Sequence, residues 1–487
     1  MTPARRMATL AAFAVPAVVY IACASSEPGS WDTAELQGVP YVLGISHPTG
    51  FPFYTLLGYV WSHGIPLDSV AWRMNAMSGI AIGLTCAAAC GIAFEFGAGI
   101  TVALLASLWF AFSPNIWAHA VRAEAQDLAL ACEAIALYAF VRWLRGGGDA
   151  WFAAAFALCG LGMAAHPNAL WILPALIVGA AIAPRRPARA LCARSGALLA
   201  AALMLYAYLP LRSAYVVVHH LDPAAQLPRA AGGIFWNYND PHTLRGLRLE
   251  LTGSESETPK YLLASFNPAH FGTAAWTFFT TIRAEYDLGA LLLVAIGFGV
   301  AWRRNWRVAL VVGIACTAGL LFSVVYPNES DVGRYRMLAS WLAVPLLGAL
   351  TPQSRRGRAL VWSGLLIVFL AVGASMSLER QRGFFDRVAG EGGRWIIGAV
   401  RPYVAPGNVV VTGWLDATSL AYGAYVDRSL AGRIVVSDDK LDMPLYRQWA
   451  RQRLVFVVVD PRDVDALDGA IDVAALDRWH ELYEVTP

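Results

Sequence analysis

The chain has 487 residues, 57% of them hydrophobic and only 15% charged, whereas an ordinary soluble domain is roughly a quarter charged. This composition argues against a soluble protein and for one embedded in a bilayer. The net charge of +3 is small for the length and comes almost wholly from arginine, so neither a nucleic-acid partner nor a polybasic tail is indicated.

Apolar runs long enough for a hydrocarbon core of about 30 Å predict about eleven transmembrane helices. They fall near residues 7–24, 76–95, 98–113, 126–143, 151–166, 169–183, 195–210, 288–302, 308–326, 337–351 and 359–376. A cytoplasmic Arg5 and Arg6 would make every second loop basic. The loops comply: Arg142 and Arg145, Arg185 to Arg194, Arg303 to Arg307 and Arg355 to Arg358 all fall on one side, and only the turn near Gly97 lacks arginine. A rival reading makes the N-terminus a cleaved secretory signal ending in "ACAS"; it would leave Asp32 outside as well.

Four polar segments, 25–75, 114–125, 211–287 and 327–336, are thereby expected on the opposite, extracytoplasmic face. The seven cysteines lie in or beside apolar runs with no disulfide or metal-ligand spacing, and packing is their expected role.

The first outer segment contains "SWDTAELQGVPYVLGISHPTGFPFYTLLG". On a helical turn Asp32 and Glu35 share one face. A plain helix cap by Asp32 or Thr33 is the competing explanation. The prolines, glycines and aromatics around His47 suit a folded loop at the membrane surface better than a mere connector.

Further along, "WAHAVRAEAQDLALACEA" places Arg122, Glu124 and Asp127 at the mouth of the fourth span and Glu133 deeper. Charges there are costly and are candidates for function, with an interfacial ion pair as the alternative, favoured for Asp127. His166 stands in "GMAAHPN" at an outer turn, a weak signal alone. Arg212, in "YLPLRSA", leaves the seventh span on the face where positive charge is disfavoured. Its planar fork suits a phosphate. "FWNYNDPHTLRGLRLELTG" adds Trp236 and Asp240 as candidate substrate-binding residues. The odd number of spans sends the tail outside, where "NVVVTG", "RIVVSD" and "RLVFVVVD" read as strands of a small α/β domain. The expected division is a membrane domain over 1–377 and an extracytoplasmic α/β domain over 378–487.

The succession "WDTAE", "GISHPTGFPFYTLLG", "WAHAVRAEA", "GMAAHPN", "YLPLRSA" and "WNYNDPHTLRGLRLELTG" resembles the membrane family of domain of unknown function 2723, related to the transmembrane protein O-mannosyltransferases. The resemblance covers about 27–255, with a fainter echo in "YPNESDVGRYRMLASWLAVP". Trp31 stands where that family has glycine, and "AEAQ" where it has "AEVY". The resemblance implies a GT-C-like polytopic glycosyltransferase that uses a polyprenyl-phosphate-linked sugar, mannose by family expectation, and a protein or glycan hydroxyl acceptor.

On that reading Asp32 is the base of an inverting transfer. Glu35 or Glu124 orients the acceptor or tunes Asp32, and Arg212, with Arg122 or His166, neutralises the departing phosphate; His47 is a further candidate substrate-binding residue. No cofactor is expected; some relatives use a divalent metal, which is not predicted here. A lipid or glycolipid transporter is the alternative, and it lacks the polar track and repeated halves such proteins show. A receptor or scaffold would leave the intramembrane charge without a purpose.

Overall fold

The computed structural model describes residues 2–228, 233–253, 268–325, 332–354, 357–388, 392–467 and 469–487. The membrane part is helical. It begins with α1 (Pro3–Cys23), α2 (Trp31–Val42), α3 (Pro52–Gly64), α4 (Val70–Glu95), α5 (Ile100–Ala111), α6 (Pro114–Ala120), α7 (Ala125–Leu144) and α8 (Asp149–Ala165). It continues with α9 (Leu173–Ala181), α10 (Arg189–Leu203), α11 (Tyr208–Val218), α12 (Leu244–Thr252), α13 (Pro268–Val325), α14 (Val332–Ala349) and α15 (Gly357–Val388).

Five helices among the described residues are long and apolar enough to cross a membrane. The pair α5 and α6, bent by 69° where Ser113 precedes Pro114, would make a sixth. Proline at the first position of α6 cannot continue the ladder of α5, so the chain turns there. The protein is a multi-pass membrane protein on these grounds.

Helix α4 is buried along most of its length, with α1, α7 and α5 packed around it. Small residues permit this. A Cβ at Gly79 would come within 2.7 Å of Tyr20, and close backbone approach of this kind is the usual source of cohesion between helices in lipid. In α13 the ring of Phe298 lies against Gly313, although a straight helix would hold these residues about 22 Å apart. The helix therefore doubles back around Arg303–Arg307, between the two spans expected at 288–302 and 308–326.

The arginines of the basic turns meet at one end of the bundle. Arg304 donates to the carbonyls of Phe96 and Thr351 at 2.8 and 2.7 Å, and Arg307 to that of Ile182 at 2.9 Å. Arg142 pairs with Glu95 at 2.7 Å. Guanidinium groups here satisfy helix-terminal carbonyls that have no partner of their own.

The tail contains α16 (Arg394–Val400), β1 (Val409–Thr412), α17 (Trp414–Tyr425), β2 (Ile434–Ser437), α18 (Met443–Ala450), β3 (Val455–Val459), β4 (Ile471–Ala475) and β5 (Glu481–Glu484). The sheet order is β2-β1-β3-β5-β4. Strand β1 is parallel to β2 and β3, and β5 is antiparallel to β3 and β4. Strands β1 and β3 are buried throughout, which is why they read as unbroken valine runs and not as alternating ones.

This unit shares a hydrophobic core with the loop after α1. Leu36, Val39, Phe51 and Tyr54 pack in one cluster with Ile397, Leu420 and Val410. The Ala71 amide donates to the Tyr422 hydroxyl at 2.9 Å and the Ser419 hydroxyl to the Gly29 carbonyl at 2.9 Å.

Candidate active site

Ser30 immediately precedes α2 and its side chain makes no capping bond, and Asp32 lies in the first turn of the helix. The cap explanation for Asp32 is not what the structure shows. Its carboxylate accepts from Arg334 Nη2 at Oδ2, 3.1 Å, and from the Trp414 indole at Oδ1, 3.2 Å. Trp31, just before it, adopts a φ of 57°. That left-handed conformation is disfavoured for a side-chain-bearing residue by roughly 1–2 kcal/mol, and glycine adopts it freely.

One turn on, Glu35 is completely buried. Its Oε1 accepts from the His47 backbone N–H at 2.7 Å and its Oε2 pairs with His47 Nδ1. The intervening turn depends on glycine. A Cβ at Gly44 would sit 1.7 Å from the Phe235 carbonyl oxygen, and Gly50 has a φ of +77°. Burial opposes charge on His47, but the facing Glu35 and nearby Asp32 outweigh it and raise the imidazole to about 9. Glu35 thus holds the His-Pro loop in place, with a cationic imidazole at the cavity wall. His47 packs edge-on to Phe51, and Phe51 stacks on His166 at 5.3 Å.

The segment around α6 and the start of α7 supplies a buried charge network. Glu124 is 2% exposed; Arg122 Nε lies 2.8 Å from its Oε1, His119 Nδ1 3.5 Å from the same oxygen, and Arg334 Nη1 4.0 Å from its Oε2. Burial alone would raise the Glu124 carboxyl, yet Arg122 and then Arg334 hold it well below the usual carboxylate range. Glu124 is therefore an anion that orients two guanidinium groups. Arg334 bridges it to Asp32, and its backbone carbonyl is held by Gln126 at 2.9 Å.

Most of these side chains line one cavity of about 1720 Å³ between the ends of the membrane helices and the α/β unit, while the expected catalytic residue Glu35 is buried behind His47 and does not line it. Asp32, His47, Arg122, Glu124, His166 and Asp240 face it, as do Arg334 and Arg336. Burial pushes the Asp240 carboxyl above its usual range.

Two further expected site residues lie off the cavity. Arg212 donates to the carbonyls of Leu43 and Val42, the latter at 3.2 Å, and lies over the Tyr215 ring. It neutralises the C-terminal end of α2, where a cation is favourable, and this is where its charge is spent. Trp236 packs on Tyr425 at 6.0 Å. Its ring serves the core under the cavity.

Sequence reasoning missed Arg334, Arg336 and Trp414. The first two had a usable signal, because an Arg-x-Arg pair opening a span at the end opposite the arginine-rich turns breaks the same charge rule that drew attention to Arg212. Trp414 carries no local signal. No group of three or more His, Cys, Asp or Glu side chains able to hold a metal ion occurs among the described residues.

The bundle, its cavity and the acid–guanidinium network belong to a multi-pass membrane protein whose fold is similar to that of ArnT. Over 98% of its length the chain superposes on ArnT from Cupriavidus metallidurans, with a TM-score of 0.53 for the structure bound to undecaprenyl phosphate and 0.54 for the apo state. The identity is 14% and the coverage of ArnT 98% and 97%.

Residues 32–187 match the family model described as the Protein O-mannosyl-transferase TMEM260 N-terminal domain. Protein O-mannosyl-transferase tmem260 of Dictyostelium discoideum is 34% identical over 95 residues, 19% of this chain and 12% of the relative. Protein O-mannosyl-transferase TMEM260 of Mus musculus is 27% identical over 246 residues, 49% of this chain and 33% of the relative. The matched part of this chain thus spans a third or less of these relatives.

Proposed function

We propose that this protein is a membrane glycosyltransferase that moves a sugar from a polyprenyl-phosphate carrier to a hydroxyl acceptor on the extracytoplasmic face. The observation that carries the proposal is the Asp32 carboxylate held 3.1 Å from the Arg334 guanidinium at the wall of the large cavity. A proton acceptor beside a delocalised cation is what a transfer of this type needs: one removes the acceptor proton, and the other receives charge developing on the leaving phosphate.

The volume exceeds the roughly 300–1,000 Å³ of a single small-ligand site, leaving room for a donor head and an acceptor together. ArnT bound to undecaprenyl phosphate supports a polyprenyl-phosphate carrier. The names of the relatives support mannose as the sugar and a protein as the acceptor.

In this mechanism the donor phosphate lies against Arg334, with Arg122 and Arg336 nearby, and loosens the Arg334 contact with Asp32. Asp32 then takes the acceptor hydroxyl proton as the oxygen attacks the anomeric carbon and the lipid phosphate departs from the opposite face, inverting the centre. Glu124 holds the guanidinium groups in register, and Glu35 fixes His47. No metal is assigned a role.

The test is transfer from polyprenyl-phosphate mannose by the purified full-length protein and its Asp32→Asn variant. The carboxamide keeps the shape and loses the base, so kcat should fall about 10²- to 10⁴-fold with the melting temperature retained. Wild-type turnover in Asp32→Asn would remove Asp32 from this role.

A further inference from the structure

Trp414 opens α17, in the α/β unit, and reaches Asp32, a residue 382 positions away in sequence. Its position is set from several sides. Its backbone N–H donates to Asp439 Oδ1 at 3.0 Å, and α17 is tied to the outer loops through Ser419 with Gly29 and Tyr422 with Ala71. The indole stands edge-on to Tyr238 at 5.6 Å and 89° and to His47 at 6.1 Å and 85°. Between these two rings its Nε1 meets Asp32 Oδ1 at 3.2 Å.

We infer that Trp414 is a positioning residue for Asp32, so that the α/β unit completes the candidate active site as well as covering it. This rests on the reading of Asp32 as the base. A carboxylate on a short side chain turns easily about its terminal bond, which has a broad, two-fold preference. Here Arg334 donates to one oxygen and Trp414 to the other, and two donors on opposite oxygens fix that rotation. An indole N–H is a donor only, so it holds the carboxylate without competing for the proton. Each carboxylate oxygen keeps further acceptor capacity for the incoming hydroxyl. When the donor phosphate draws Arg334 away, the indole is the contact that still holds Asp32 in line.

The test uses Trp414→Phe, which keeps a ring against Tyr238 and His47 and removes the N–H. With polyprenyl-phosphate mannose, kcat should drop about 10- to 100-fold, the worth of one hydrogen bond to a charged group, while KM for donor and acceptor changes less than about twofold. Trp414→His returns an N–H donor and should recover part of the lost kcat; it serves as the readout if the Phe variant does not fold, and a kcat in Trp414→His below one-thousandth of wild type in folded protein counts against the inference. In an Asp32→Asn background Trp414→Phe should have no further effect on the residual rate.

Wild-type kcat in Trp414→Phe, or a raised KM with kcat intact, overturns the inference, the latter making the indole a substrate platform. If Asp32→Asn is inactive and Trp414→Phe fully active, only the role of Trp414 falls. If Asp32→Asn is fully active, the base assignment falls and this inference with it.

Discussion

Arg334 is 11% exposed and stands between Asp32, 25% exposed, and Glu124, 2% exposed, which makes its removal the most informative perturbation of the site. A unit charge pair about 4 Å apart is worth about 4 kcal/mol at the effective dielectric of 20 that suits partly buried groups. If that attraction is transferred to phosphate charge developing in the transition state, Arg334→Ala should lower kcat about 10²- to 10³-fold, in line with the loss of one preorganised donor to a developing anion. The fold should survive, because Glu124 keeps Arg122 at 2.8 Å and Asp32 keeps the Trp414 indole.

Arg334→Lys separates charge from geometry. An ammonium can meet either Asp32 or Glu124 but not span both, since it lacks the planar fork, so an intermediate loss of about tenfold is expected. The assay is single-turnover release of polyprenyl phosphate from labelled donor by detergent-purified protein, with thermal melting alongside. Arg334→Ala turning over donor at the wild-type rate would refute the assignment of the leaving-group role.

Three other outcomes are expected. Glu35→Gln removes the partner that lifts His47 from its ordinary 6.5 to about 9; the pair stabilises the fold fully below about pH 6.5 and loses this contribution as pH rises through about 9. The Tm difference between wild type and variant should accordingly shrink from pH 6 to pH 9.5, with an upper bound of about 3 kcal/mol at the low end, and a constant difference would show that the pair does not titrate so. Arg212→Ala removes the guanidinium from the carbonyls of Val42 and Leu43, of which Leu43 keeps the Tyr208 hydroxyl at 2.9 Å, so stability should fall by about 1–3 kcal/mol with donor KM unchanged in the folded fraction; a selective rise in donor KM would return Arg212 to the phosphate. Alkaline phosphatase joined after Pro487 should be active in intact cells, since the cavity-bearing end lies opposite the arginine-rich turns; an inactive fusion would invert the orientation.

The class of protein was legible from composition alone, because a helix in lipid must be apolar along its length and the cost of stray charge is large. The arginine-rich turns were equally legible, and in the structure Arg142, Arg304 and Arg307 meet at one end of the bundle through contacts with Glu95 and free helix-end carbonyls. Asp32, Glu35 and His47 could be singled out locally, since a short Gly- and Pro-bearing turn brings the last back over the second. What each does was not local. Glu35 and Asp32 sit one turn apart on the same helix, yet one is buried against a loop and the other faces the cavity. Arg212 and Arg334 both carry positive charge away from the arginine-rich turns; helix rotation and packing spend the first on backbone carbonyls and bring the second to Asp32, 302 residues away in sequence. Trp414 is an ordinary aromatic at the start of a helix until α17 docks beside Gly29 and Ala71. A sequence fixes how costly a charge or an indole is in its setting, but the partner that offsets the cost is chosen by side-chain directions across packed elements, and only the tertiary structure sets those.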